Sequence, residues 1–133
     1  MDHKNIPQND EEWAGILTPE QFNVLREKGT ERPFSGQYWN HNESGIYKCA
    51  GCGTELFRSN EKFASGCGWP SFYEALDKSK IKETVDLSHG MRRIEVTCAV
   101  CDGHLGHVFT DGPKPTGLRY CINSASLQFE PNK

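Results

Sequence analysis

The sequence predicts a mainly β fold: one or two small antiparallel sheets rolled together, with a short helix outside. Three observations lead there. Short apolar runs of strand length recur along the chain, each bounded by turn-forming residues. Thirteen glycines and seven prolines among 133 residues suit a loop-rich β protein better than a helical bundle. One segment carries a full set of helix start and stop signals. A chain of this length is one domain by the usual prior and buries roughly 68% of its unfolded surface.

Residues 1–12 are polar and read as an arm, mobile or ordered only on contact. The arm is set at 1–16 and the folded domain at 17–133. The helix follows. Thr18 is its N-cap, Pro19 takes the first position, and Gln21 completes a capping box, with Leu17 and Phe22 placed as a staple across it. Phe22 and Leu25, flanked by Val24, make a narrow apolar stripe, and Gly29 ends the helix after Arg26 and Lys28. Thr30 to Ser44 has no periodicity but carries Phe34, Tyr38 and Trp39, so it should lie against the body of the fold. Strands are expected at Ile46–Cys49, Glu55–Phe57, Ile81–Leu87, Arg92–Thr97, His107–Thr110, Leu118–Asn123 and Leu127–Glu130. Between 91 and 98, Arg92, Ile94, Val96 and Cys98 give one mostly apolar face against Met91, Arg93, Glu95 and Thr97. Ser88-His89-Gly90 reads as a hairpin turn, and Pro70–Ala75 as one helical turn.

Net charge is −3 and no basic block appears, which argues against a nucleic-acid partner. No run approaches transmembrane length, so no membrane partner is expected. Met1-Asp2-His3-Lys4-Asn5 leads into polar sequence without the apolar core of a secretory signal. A cytoplasmic protein is expected, where thiols stay reduced. Six cysteines in that setting mean metal or redox chemistry rather than a disulfide framework.

Four of the six form two C-x-x-C knuckles, Cys49/Cys52 and Cys98/Cys101, each after a strand-like run. Two knuckles supply four thiolates for one tetrahedral zinc per chain, and four sulfurs close the site to water and substrate, which makes it structural. The gap between them exceeds that of the common zinc ribbon, implying a large insertion. A thioredoxin-like redox pair or a four-thiolate iron centre competes with zinc, but a redox pair leaves the second knuckle unexplained.

Cys67 and Cys121 remain. In Leu118-Arg119-Tyr120-Cys121-Ile122-Asn123, strand alternation puts Leu118, Tyr120 and Ile122 on a face that can be buried. Arg119, Cys121 and Asn123 share the other. A thiol beside a guanidinium favours thiolate, the nucleophilic form; the competing reading is a buried structural cysteine. Cys67 lies between glycines in Ser65-Gly66-Cys67-Gly68-Trp69-Pro70-Ser71-Phe72, so a mobile, exposed loop is expected. A loop thiol and a strand thiol beside Arg suit a resolving and an attacking cysteine. His104 and His107 sit next to glycines beyond the second knuckle, and on a strand His107, Phe109 and Asp111 share a face. Trp69 is either core or one wall of an apolar pocket. A zinc-ribbon binding module is the rival from another class; it would make Cys67 and Cys121 disposable. A hydrolytic zinc enzyme would need an open coordination position, and the deaminase H-x-E and P-C-x-x-C pattern is missing.

Four stretches carry a resemblance: Gly29-Thr30-Glu31-Arg32-Pro33-Phe34-Ser35-Gly36, Ser65 to Phe72, His104-Leu105-Gly106-His107-Val108-Phe109, and Arg119-Tyr120-Cys121-Ile122-Asn123-Ser124. Together they resemble the B-type peptide-methionine (R)-S-oxide reductases, in the family's order, from about Leu17 to Phe129. The resemblance implies two antiparallel β-sheets with peripheral helices and a zinc site remote from the catalytic centre. It implies a catalytic set in which Cys121 matches the nucleophile and Cys67 the resolving cysteine of thioredoxin-recycled members. His107 and Asn123 match the polar residues around the sulfoxide oxygen. In the substrate-binding set, Trp69 matches the tryptophan that packs the S-methyl group and Phe109 a pocket wall. Arg119 would help hold the thiolate or pair with a structural carboxylate. A family acidic residue falls on either Glu83 or Asp86. Oxidised proteins would be the substrates, thioredoxin the reductant, and a monomer the expected state.

Overall fold

The computed structural model describes residues 9–132. Two helices, α1 (Asp10–Ala14) and α2 (Pro19–Glu27), precede eight strands. These are β1 (Gly45–Cys49), β2 (Glu55–Arg58), β3 (Ser71–Phe72), β4 (Ile81–Asp86), β5 (Arg93–Cys98), β6 (His104–Phe109), β7 (Arg119–Ile122) and β8 (Leu127–Pro131). They form two antiparallel sheets, ordered β2-β1-β8 and β3-β7-β6-β5-β4. The mainly β, two-sheet architecture is as expected.

Alternation decides what each sheet buries. In β1, Tyr47 and Cys49 turn inward while Ile46 and Lys48 are half-covered. In β7, Tyr120 and Ile122 are fully buried, and Arg119 and Cys121 stand on the other face. The shared core is aromatic. Phe57 of β2 stacks on Phe72 of β3 at 4.5 Å between centroids, and Tyr47 meets Phe72 edge-on at 5.2 Å. Such contacts add roughly 0.5–1.5 kcal/mol each beyond area burial.

The capping box of α2 is complete: Gln21 N–H donates to Thr18 Oγ1 at 3.2 Å, and Thr18 N–H to Gln21 Oε1 at 2.9 Å. The helix buries Val24 and Leu25, with Phe22 partly covered. Its left-handed cap is Lys28 (φ 59°), not Gly29, whose N–H closes onto the Asn23 carbonyl at 2.8 Å.

Elsewhere the structure departs further from the sequence reading. Part of the expected arm is helical: Asn9 caps α1 by accepting from Glu12 N–H, and Trp13 is buried with the Arg26 guanidinium 4.9 Å above its ring. The lone indole gives a polar segment something to bury. Ser71 and Phe72 form an edge strand paired with Cys121 and Tyr120 rather than a helical turn. β6 begins at His104, three residues before the expected start, because an irregularity between Val96 and Thr97 lets the ladder continue. In the 30–44 segment Tyr38 lies against the body, but Phe34 projects into solvent, edge-on to Trp39 at 4.9 Å. Among the described residues, no helix is long and apolar enough to cross a membrane.

Candidate active site and metal cluster

β7 carries Cys121 between two neighbours: Ser71 opposite on β3 and His107 opposite on β6. Arg119, one step back on the same face, pairs with Phe109. The loop before β3 brings Cys67 over this strand. Gly66 and Gly68 both adopt left-handed φ values, +78° and +94°, that side chains resist. At Gly68 a Cβ would also lie 2.5 Å from Pro33. The chain therefore folds back far enough to place Cys67 Sγ 3.4 Å from Cys121 Sγ, both thiols free. Cys67 is half-buried rather than exposed, and its sulfur also meets Ser65 Oγ at 3.0 Å and Ser71 Oγ at 3.3 Å.

These contacts set where the charge sits. The hydrogen bond from Cys121, then the Ser65 and Ser71 hydroxyls, outweigh desolvation and hold the Cys67 thiol at about 4. Cys121 is pushed far up by the same shared bond first and by burial second, with Arg119 pulling the other way. Both shifts have the same first cause, the shared hydrogen bond, which favours negative charge on Cys67 over Cys121, whereas the sequence reading placed the thiolate on Cys121 beside Arg119. Arg119 is committed elsewhere as well: it makes a bidentate pair with Asp111 at 2.9 and 3.2 Å, and its guanidinium covers the Phe109 ring at 4.4 Å.

A cleft of about 90 Å³ opens onto Cys121. Trp69, Phe109, His107 and Asn123, all singled out in the sequence, line it together with Cys121. Arg119 stands behind Phe109 rather than on the wall. Trp69 is a wall and not core, half-exposed with its Nε1–H donated to the Glu31 carbonyl at 3.0 Å. Asn123 is buried: its Oδ1 accepts from Glu31 N–H and its Nδ2 donates to the Leu105 carbonyl, both at 3.0 Å. One amide hydrogen remains for the cleft.

His107 Nε2 lies 2.7 Å from Asp86 Oδ2. Asp86 in turn accepts from Ser88 N–H at 2.9 Å; its carboxyl is held far below the usual range by the Ser88 hydrogen bonds and His107. Of the two carboxylates left open by the sequence, Asp86 reaches the site, while Glu83 is exposed opposite Val96. His104 is buried and bonded to the buried Glu95 at 2.7 Å. Burial pushes its pKa down against the pull of Glu95.

Three wall residues escaped the sequence reading, Gly106 of β6 among them. Thr30 borders the cleft from the segment after α2, and Arg93 borders it from β5, with a buried Nε that has no hydrogen-bond partner among the described residues. Arg93 shares the alternating face of Glu95, but alternation alone does not tell which of five strands lies next to Cys121.

The four remaining cysteines are buried, and their sulfurs all lie within 4.8 Å of one another. Cys49 and Cys101 Sγ are 3.7 Å apart, Cys52 and Cys98 Sγ 3.5 Å. Four sulfurs about 2.3 Å from a central zinc would be roughly 3.8 Å apart, so the donor set and spacing suit a structural metal. Thr54 Oγ1 at 3.0 Å from Cys52 Sγ supports one ligand from outside. Cys49 ends β1 and Cys98 ends β5, so the cluster ties one sheet to the other. Arg93 on the cleft wall and Cys98 in the cluster are the two ends of β5, roughly 17 Å apart at about 3.4 Å per residue.

The SelR domain family matches residues 17–131. The chain is 59% identical over 125 residues to a peptide methionine sulfoxide reductase MsrB of Thiobacillus denitrificans, covering 94% of this chain and 95% of that protein. It is 58% identical to one from a Synechococcus strain, over 94% and 92% of the two chains. With one from Methanosarcina barkeri it shares 56% over 98% and 92%. Among solved structures, the "Yippee-like" domain of Mis18 superposes with a TM-score of 0.53 at 18% identity, over 68% of this chain and 99% of that one. That likeness is one of fold alone.

Proposed function

The chain belongs to the SelR domain family, and from that premise we propose how it reduces the R epimer of peptide-bound methionine sulfoxide. One observation carries the scheme: a free thiol, Cys121, in a small cleft with two aromatic walls, and a second free thiol, Cys67, 3.4 Å from it. Trp69 and Phe109 take the S-methyl group. A sulfoxide sulfur is a poor electrophile until its oxygen is protonated or strongly hydrogen-bonded. In its protonated form His107, with Nε2 donating to Asp86, has a second N–H for that oxygen, and Asn123 has its remaining amide hydrogen.

A proton passing from Cys121 to Cys67 moves the charge to Cys121, where Arg119 favours it. The Cys121 thiolate attacks sulfur while the oxygen takes a proton from His107. The S–O bond breaks, the hydroxyl passes to the Cys121 sulfur as a sulfenic acid, and the Cys121–substrate bond breaks with its electron pair returning to the sulfur of the departing methionine. Cys67 sulfur then attacks the Cys121 sulfur; an S–S bond forms, the S–O bond breaks, and the proton that Cys67 took from Cys121 leaves with the hydroxyl as water. A dithiol protein, which we take to be thioredoxin, resets the pair by exchange and is itself oxidised to a disulfide. The net change is one sulfoxide and two thiols to one thioether, one disulfide and water.

We assign the four-cysteine cluster to one zinc per chain, a closed site with no position for substrate. We further propose a monomer working in the cytoplasm on oxidised proteins, where reduced thiols and a thioredoxin system coexist. The test supplies each sulfoxide epimer of a methionine peptide to purified protein, with dithiothreitol or with thioredoxin and its reductase. Turnover of the R epimer far faster than a low residual rate on the S epimer, with water-soluble dithiol and with thioredoxin, is expected; equal rates on both epimers would reject the pocket.

A further inference from the structure

We propose that Glu31 is a positioning residue: it sets the spacing between Trp69 and Asn123, and through that spacing the preference between sulfoxide epimers. Three groups of this one residue converge. Its carbonyl accepts from Trp69 Nε1 and its N–H donates to Asn123 Oδ1, each at 3.0 Å. Its carboxylate accepts from the N–H groups of Ser124 at 2.8 Å and Ala125 at 2.9 Å, the two residues after Asn123.

The backbone near Trp69 is already tied to β7, since Ile122 N–H donates to the Pro70 carbonyl at 3.0 Å. That bond leaves the indole free to turn about its own torsions. Glu31 removes that freedom and fixes the Asn123 amide, also part of the cleft lining, from the same peptide segment. Glu31 is buried, 7% exposed, and its carboxylate makes charge-assisted bonds that anchor residue 31 to the backbone carrying Asn123. Gly36 leaves room for this arrangement: a Cβ there would lie 2.3 Å from Glu31 Oε2 and 2.4 Å from Ser124 Oγ.

The two epimers exchange methyl and oxygen at sulfur. Discrimination between them therefore depends on how well the methyl wall and the amide donor are held relative to each other. Glu31→Gln keeps the shape of the side chain but replaces one acceptor oxygen with an NH₂ facing a backbone N–H, donor against donor. Residue 31 must shift, and both wall bonds shift with it. Misplacement by about an ångström costs on the order of 10²-fold in rate.

The inference rests on the proposed reading of Trp69 as the methyl wall and Asn123 as an oxygen donor of one cleft. The experiment measures kcat and KM for wild type, Glu31→Gln and Gly36→Ala on each epimer of a methionine sulfoxide peptide with dithiothreitol. Melting temperature and metal content are followed in parallel. Both variants should fold and keep their metal, and kcat/KM for the accepted epimer should fall roughly 10- to 100-fold. The other epimer should fall less, so that the ratio between them drops at least about tenfold, and Glu31→Asp should recover part of it. An unchanged ratio in a folded variant overturns the proposal whatever the loss of rate, because a scaffold defect lowers both epimers alike. Failure of both substitutions to fold overturns it too, by making residue 31 part of the scaffold; if one folds, that one decides. A wild type indifferent to epimer would overturn the reading of the walls, and this inference with it.

Discussion

The molecule holds two groups of cysteines at nearly the same sulfur spacing, to which the proposed function gives opposite roles. Cys49 and Cys101 are 3.7 Å apart, Cys52 and Cys98 3.5 Å, Cys67 and Cys121 3.4 Å. The first four are buried, at the ends of strands and in tight knuckles. The last two are half-buried, one in mid-strand and one on a glycine-flanked loop, with serine hydroxyls and a guanidinium around them. Spacing brings sulfurs together in both places; access and polar company decide whether they hold an ion or react.

The largest expected effect separates the two groups outright. Cys98→Ser should release the metal and unfold or strongly destabilise the protein, since metal binding of this kind is folding free energy. Cys121→Ser should keep the metal and the melting temperature yet abolish reduction with every reductant. Metal analysis, thermal melts and turnover on one set of samples would check both. A metal-free protein that melts like the wild type would erase the contrast.

Within the reactive pair, Cys67→Ser should retain one turnover per chain and continue cycling with dithiothreitol, while losing most thioredoxin-driven turnover. Quenched single-turnover and steady-state rates distinguish these; normal thioredoxin cycling would remove Cys67 from the resolving role. In the cleft, His107→Ala should lower kcat by roughly 10²-fold or more with less change in KM, the size of a lost proton donor. Trp69→Ala should act more on KM. A KM effect alone at His107 would reassign it to binding.

The smallest change expected is one of pH. Cys67 is held at about 4, against 9.0 for an ordinary thiol, chiefly by the bond from Cys121. Its thiolate therefore persists in the folded protein as pH falls well below the ordinary thiol range, and is lost on passing through about 4. In Cys121→Ala the main cause is gone, and the midpoint should rise toward the ordinary value. Alkylation of Cys67 against pH, followed by mass spectrometry, reads this directly: at pH 6 the wild type should react and the variant should be markedly slower. Equal profiles would mean that the serines, not Cys121, hold the charge.

Much of this was legible in the residues. The C-x-x-C knuckles announce themselves because both sulfurs of each come from adjacent sequence. The capping box of α2 and the alternation in β7 are equally local. Glu31 was not legible, because its carboxylate binds backbone groups more than ninety residues away. Asp86 stayed tied with Glu83 until the register placed Asp86 opposite Arg93 and beside His107. β3 is two residues long and is held by pairing with β7 on one side and by a bridge to Lys62 on the other, and α1 forms where a single buried indole outweighs a polar neighbourhood. What was missed depends on pairings that no local pattern encodes.

The three tryptophans are distributed so that each samples a different part of the molecule. Trp13 is buried over the first knuckle, where a side chain on Gly51 would touch its ring at 3.1 Å. Trp69 faces the cleft, and Trp39 meets Phe34 at the surface. The protein therefore carries its own optical reporters. With Trp39 replaced by Phe, emission from Trp13 would follow the departure of the metal, and emission from Trp69 the arrival of a sulfoxide, with no label attached.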